Sequence, residues 1–270
     1  MQDQYVGDLG DFGKYGLLRA LCGVTGADGR PTLSLGVVWY RVPNEGGNDG
    51  KNLGYLDPLP KNLGRFTECD QALYDALFDI VYDKAYPVVQ RERRNVQAVK
   101  EADIFPSSTV FYPTRLIENG KPVDRSQWAR AAREQTEGCK LVFLDPDNGL
   151  EIPSTQRHHK RAPKYVFYDE IAPFLERGQS VIVIHHAGRP KNQTVDKQTQ
   201  TLLDKIRTKI RGGGSTFALR YHRGAPVRVF FVIPAKRDQD ILLSRAEQLT
   251  QGAWSGHFSL CCPKKATQSP

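Results

Sequence analysis

Apolar positions along the chain recur with two periods. In KYGLLRALCGV (14 to 24), Leu17, Leu18, Ala20 and Leu21 line one face of a predicted amphipathic helix. CDQALYDALFDIVYD (69 to 83) has the same period, and so do DRSQWARAAREQTEG (124 to 138), the segment 195 to 214, and DQDILLSRAEQLTQG (238 to 252). Three of these stop at a glycine, a common helix terminator. A basic segment over 88 to 102 also reads as helical. Short runs rich in β-branched and aromatic residues predict strands at 32 to 42, 108 to 117 and 140 to 146. QSVIVIHHAG (179 to 188) is continuously apolar, as expected of a strand covered on both faces. The stretch 164 to 178 starts extended and turns helical, whereas 217 to 236 places two strands around Gly-Ala-Pro, a hairpin. The pattern assigns no element after residue 252.

Strands alternating with helices predict an α/β fold with a doubly wound, mainly parallel sheet, closed by a C-terminal antiparallel hairpin. With neither an internal repeat nor a low-complexity linker, residues 1 to 270 read as one α/β domain, with a basic loop insertion at 152 to 163.

Composition narrows the class. At 39% hydrophobic the chain has enough apolar residues for a core, which argues against wholesale disorder. Five cysteines without C-x-x-C spacing give no disulfide framework. The first twelve residues carry three aspartates and no apolar core of a signal peptide, and no stretch is apolar over a membrane-spanning length. The expectation is a cytoplasmic protein in a reducing compartment with no membrane partner. A net charge of +8, gathered in RERR (91 to 94), RHHKR (157 to 161) and KIRTKIR (205 to 211), points to nucleic acid, RNA or DNA, as partner. Each cluster also suits a solvated helix face.

Parallel sheets hold ligands at the carboxyl ends of their strands. Two segments qualify: the glycine-rich loop PNEGGNDG (43 to 50), and DPDNGLE (145 to 151) after a central strand. Asn148-Gly149 is also an ordinary turn pair. The order of glycine loop, βα units, Asp-Pro strand end, further strand and terminal hairpin resembles class I S-adenosylmethionine-dependent methyltransferases. In amino-methylating members, a D/N/S-P-P-Y/F/W turn holds the exocyclic amine and an aromatic stacks the flipped base. Asp145 and Pro146 match this turn, while Asp147 stands at the second Pro and Asn148 at the aromatic. By that resemblance stacking would fall to another residue, such as Tyr165, Phe167 or Tyr168.

YVGDLGDFGKY (5 to 15) resembles the H-A-G-N-x-x-D-x-x-K-H opening of the J-type bacterial large-subunit ribosomal RNA adenine methyltransferase. Gly7, Asp11 and Lys14 are in register, with Asp8 at the Asn and Tyr15 at the second His. The resemblance implies S-adenosylmethionine as cofactor. It implies Asp145, Pro146, Asp147, Asn148 and Lys14 as catalytic, and Asp11, Asn44, Gly46, Gly47, Asn48 and Asp49 as cofactor-binding. The family's acid followed by G-x-G is replaced here by the segment from Asn44 to Gly50.

The residues leave two alternatives open. Asp145, Asp147, Glu151, Asp169, Glu170, His185 and His186 all fall near predicted strand ends. Carboxylates and imidazoles suit Mg²⁺ or Mn²⁺, so a metal-dependent nuclease would also explain the basic surface. Alternatively, a degenerate methyltransferase fold serves only to bind nucleic acid.

Overall fold

A computed structural model describes residues 1–24, 28–46, 50–59, 62–82, 86, 88–188 and 193–261. Helix α1 (Leu9–Cys22) precedes strand β1 (Leu35–Trp39). Then come α2 (Gln71–Val81), α3 (Val96–Glu101), β2 (Val110–Tyr112), the small pair β3 (Ile117–Glu118) and β4 (Lys121–Pro122), and α4 (Arg125–Gln135). The central strand β5 (Leu141–Asp145) leads to the short β6 (Gly149–Leu150) and β7 (Tyr165–Val166), then α5 (Tyr168–Glu176) and β8 (Ser180–His186). The chain continues through α6 (Val195–Lys209), the hairpin β9 (Phe217–Tyr221) and β10 (Arg228–Ile233), α7 (Gln239–Gln251) and β11 (Phe258–Cys261).

Seven strands form one mixed sheet in the order β11-β9-β10-β8-β5-β1-β2. Strands β2, β1, β5 and β8 are parallel; β10, β9 and β11 then alternate in direction. Helices cover both faces, which is why the central strands are apolar throughout instead of alternating. Leu35, Val37, Leu141, Phe143, Ile182 and Ile184 pack with α1, α2 and α7. Val38, Val142, Leu144, Val181 and Val183 pack with α4, α5 and α6 on the other side. No helix among the described residues is long and apolar enough to cross a membrane.

Several predicted elements are shorter than their apolar patterns. The basic segment 88 to 102 is helical only over α3, because Asn95 caps it by accepting from the Gln97 and Ala98 amides. The predicted strand 108 to 117 shrinks to β2, since Pro113 has no amide to continue a ladder. The C-terminal stretch does contain an element, the edge strand β11 on β9. Residues 152 to 161 form neither helix nor strand, consistent with a loop.

Two features of this architecture place a site. From β1 the chain passes to β2 on one side and returns to β5 on the other, opening a crevice at the carboxyl ends of β1 and β5. Helix α1 comes close to the sheet because it presents glycine at every third position. A Cβ at Gly10 would lie 2.2 Å from the Arg228 guanidinium, one at Gly13 2.5 Å from the Tyr221 ring, and one at Gly16 2.3 Å from the Trp254 ring. Gly13→Ala therefore overpacks a rigid aromatic contact, which costs about 1 to 3 kcal/mol and outweighs the roughly 1 kcal/mol gained in helix propensity. Urea unfolding is expected to show a lower midpoint for Gly13→Ala, and little change for Gly138→Ala, where no atom lies within 4 Å of the added carbon.

Candidate functional site at the end of β5

Asp145 is the last residue of β5 and pairs with Trp39 of β1, so its side chain emerges at the crevice. Pro146 ends the strand, and the turn is then clamped from two sides. The Asn148 amide donates to the Lys164 carbonyl (2.9 Å), and the His186 amide of β8 donates to the Asn148 carbonyl (3.0 Å). Gly149, at φ 128°, leaves no room for a side chain, since a Cβ would meet His185 Nδ1 at 2.3 Å. That ring nitrogen accepts the Leu150 amide (3.2 Å), and burial lowers the His185 pKa to about 4. His185 is thus a neutral, structural histidine.

Beneath the turn lies a buried charge cluster. Lys14 Nζ contacts Asp11 Oδ1 at 2.7 Å and Asp145 Oδ2 at 3.0 Å. Asp11 Oδ2 also accepts the Gly7 amide and the Tyr15 hydroxyl, each at 3.1 Å. Burial works against the charge on Lys14, but Asp11 and then Asp145 outweigh it and raise its pKa. Burial raises the Asp145 carboxyl above its usual range, and Lys14 offsets this only in part. Asp147 behaves oppositely. Burial opposes its charge, yet the Met1 amino group, Gln2 and Lys164 hold its carboxyl below the ordinary value. Gln2 Nε2 donates to Asp147 Oδ2 (2.8 Å), with Lys164 Nζ 3.3 Å from the same oxygen.

A cleft of about 440 Å³ opens over these groups, within the size range of small-molecule sites. Asp8, Asp11 and Lys14 of the α1 region form one wall, and residues 145 to 148 another. Tyr5, Lys51, Lys164, His186 and Arg228 complete it. His186 is held neutral: burial, then the charges of Arg228 and Lys14, lower its pKa to about 3. Two buried polar atoms lining the cleft make no hydrogen bond, Asp147 Oδ1 and Arg228 Nη1. The first has the Met1 amino group at 3.4 Å; the other terminal nitrogen of Arg228 reaches Asp8 only at 3.5 Å. Among the described residues Asp145 Oδ1 also takes no hydrogen bond. The cleft therefore offers a ligand two carboxylate oxygens as acceptors and one guanidinium nitrogen as donor.

Asp11, Lys14, Asp145, Pro146, Asp147 and Asn148, far apart in sequence, line this one cleft. Asn44 and Gly46 do not line it. They hold Gln4 instead, whose amide donates to Asn44 Oδ1 (3.3 Å) and whose side chain donates to the Gly46 carbonyl (3.4 Å). Gly47, Asn48 and Asp49 lie outside the described residues. Sequence reasoning missed Arg228 and Lys164 as wall residues. Arg228 opens an apolar strand, a position where a charge is unexpected unless something faces it.

The carboxylates and histidines considered for a metal centre do not converge. Asp169 pairs with Arg157, and Glu170 with Arg125 at 2.6 Å. Glu151 accepts the Tyr168 amide and His185 the Leu150 amide. Among the described residues no group of three or more His, Cys, Asp or Glu side chains is arranged to hold a metal ion. Strand alternation and the start of α5 turn these groups toward different partners. The aromatic candidates are also elsewhere: Tyr165, Phe167 and Tyr168 are buried, and none lines the cleft, whose aromatic is Tyr5.

Lys14→Met leaves two buried carboxylates without their counter-charge and is expected to cost about 3 to 5 kcal/mol near neutral pH. Without Lys14 the Asp145 pKa rises further, and a raised carboxyl costs stability once pH exceeds its unfolded value of about 3.9. The deficit relative to the parent protein should accordingly be smallest near pH 4 and grow toward pH 7. Urea unfolding across that range checks this, and a pH-independent deficit would contradict the charge account.

No family model matches the chain, and no curated protein does. Among solved structures, the chain is similar to the crystal structure of protein LPL1258 from Legionella pneumophila str. Philadelphia 1, family-model DUF519. The two share 15% identity over 97% of this chain and 98% of that one, with a TM-score of 0.40.

Proposed function

We propose that the sheet is a doubly wound, Rossmann-like methyltransferase core, and that the cleft transfers a methyl group from S-adenosylmethionine to an amino group of a nucleic-acid base in the cytoplasm. The observation that carries this reading is the Asp145-Pro146 turn at the crevice between β1 and β5, with Asp145 Oδ1 free of hydrogen bonds among the described residues. Asp147 Oδ1 and Arg228 Nη1 of the same cleft are buried without a hydrogen bond, and such atoms are uncommon and call for a ligand or water. The amino-acid end of the cofactor carries an ammonium and a carboxylate, which suit Asp147 Oδ1 and Arg228 Nη1 respectively. One feature does not match: β2 is followed by Pro113, Thr114 and Arg115, so the acid expected to bind the ribose hydroxyls is missing there.

The cofactor supplies an activated methyl on a sulfonium; the rest falls to the chain. Asp145 Oδ1 accepts one N–H of the base amine, and the Pro146 carbonyl would accept the other. Lys14 keeps the Asp145 carboxylate ionised and fixes its orientation from Oδ2. The amine's proton passes to Asp145, whose proton affinity burial has raised. Tyr5 is the aromatic available to stack on the base. Catalysis of this kind rests on positioning and needs no metal.

Incorporation of labelled methyl groups into bulk RNA and DNA tests the reading. Asp145→Ala should lower transfer by about 10²- to 10⁴-fold, the range for loss of a proton-accepting group, and a chelator should have no effect. Transfer at the parental rate by Asp145→Ala would refute the assigned role. The missing ribose acid favours a second reading, a fold that only binds nucleic acid, in which binding persists and the parent protein transfers no label.

A further inference from the structure

A second cavity of about 440 Å³ lies away from the Asp145 cleft, between the basic loop after β6, the start of α5 and the last two turns of α6. Lys205 and Lys209, one helical turn apart on α6, face it together with Arg157 from the loop. Two of the three basic clusters in the sequence, 157 to 161 and 205 to 211, thus meet at one place. Among the described residues neither lysine has an acidic partner, and Lys209 Nζ sits 4.9 Å above the Tyr168 ring. Tyr168 is 5% exposed, lines the cavity, and its hydroxyl has no hydrogen-bond partner. Burial, followed by the charge of Glu151, pushes that phenol up to about 12, so at neutral pH it is an O–H donor.

The acids nearby are already engaged. Glu151 accepts the Tyr168 amide at 3.0 Å, and Asp169 and Glu170 pair with Arg157. Arg157 also stacks on the Phe167 ring at 4.3 Å, which fixes its guanidinium at the cavity wall. What has no hydrogen-bond or acidic partner among the described residues is two ammonium groups and a hydroxyl donor, a set that complements a tetrahedral oxyanion and outweighs the single Glu151 carboxylate on the cavity wall.

We propose that this cavity is a phosphate site that holds one backbone phosphate of a nucleic-acid strand, gripped by Lys205 and Lys209 with the Tyr168 hydroxyl as a further donor. It extends the reading of the Asp145 cleft by giving the strand a second anchor, and it does not depend on methyl transfer. Counterion release makes the site measurable, because each phosphate neutralised on a single strand adds about 0.7 to the salt slope of log affinity.

The test is fluorescence anisotropy of a labelled single-stranded RNA oligonucleotide over a salt series, with the full chain. Lys205→Ala/Lys209→Ala removes half-buried and exposed side chains and should leave the urea midpoint unchanged. The double variant is expected to bind about tenfold more weakly at low salt and to lose about 0.7 from the slope, the one phosphate that the site holds. Tyr168→Phe should weaken binding about two- to tenfold, the worth of one hydrogen bond. Strand binding that keeps its dependence on Lys205 and Lys209 in a parent protein that transfers no methyl group separates failure of the methyl-transfer reading from failure of this site. An unchanged slope in the double variant overturns the proposal, as does a parent protein that does not bind the strand. Binding of inorganic phosphate at the two lysines with no effect on the strand would overturn the backbone assignment.

Discussion

The contact between Lys14 and the carboxylates of Asp11 and Asp145 joins the first helix of the chain to its central strand. All three side chains are buried, so each depends on the others. A lone buried ion is strongly disfavoured, and Lys14 offsets the cost of burial for both carboxylates. The contact fixes where α1 lies, and through it the wall of the cleft. The glycines at 10, 13 and 16 make that approach possible by removing the side chains that would collide with Arg228, Tyr221 and Trp254. Charge pairing and close packing therefore act together along the same helix.

The cleft also shows how one sheet end gives neighbouring titratable groups different environments. His185 points into the packing beneath β6, where burial keeps it neutral and its ring accepts an amide. Asp145 and Asp147, two residues apart, have opposite proton affinities. Burial dominates at Asp145, while three donors and cations dominate at Asp147. Carboxyls whose environments push their pKa values apart are suited to different tasks, one to hold a proton and the other to stay charged.

Much of this was legible in the sequence. The central strands read correctly because both faces are buried and their apolar runs are unbroken, and α2, α4 and α7 read correctly because one face repeats at three and four. The ends were harder: Asn95 and Pro113 shorten elements through local hydrogen bonding that apolar periodicity does not register. β11 is an edge strand only four residues long. The Asp145 turn and the Asp11-Lys14 segment were visible as separate motifs, but their union across 131 residues follows only from the packing of α1. Arg228 was missed because its importance lies in what it fails to pair with. The carboxylates of the metal alternative were close together in the sequence pattern, but Asp169 and Glu170 pair with arginines, Glu151 accepts an amide, and Asp145 pairs with Lys14.

The central claim is that the cleft over Asp145 takes S-adenosylmethionine through the carboxylate oxygens and the guanidinium nitrogen that make no hydrogen bond among the described residues. Isothermal titration calorimetry of the folded protein with that compound, in metal-free buffer, tests it most directly. The account predicts saturable binding of one molecule per chain, weakened about tenfold or more by Arg228→Ala, since a charged hydrogen bond contributes about 1.5 to 3 kcal/mol. Absence of binding by the folded parent protein, or binding indifferent to Arg228→Ala, would contradict it.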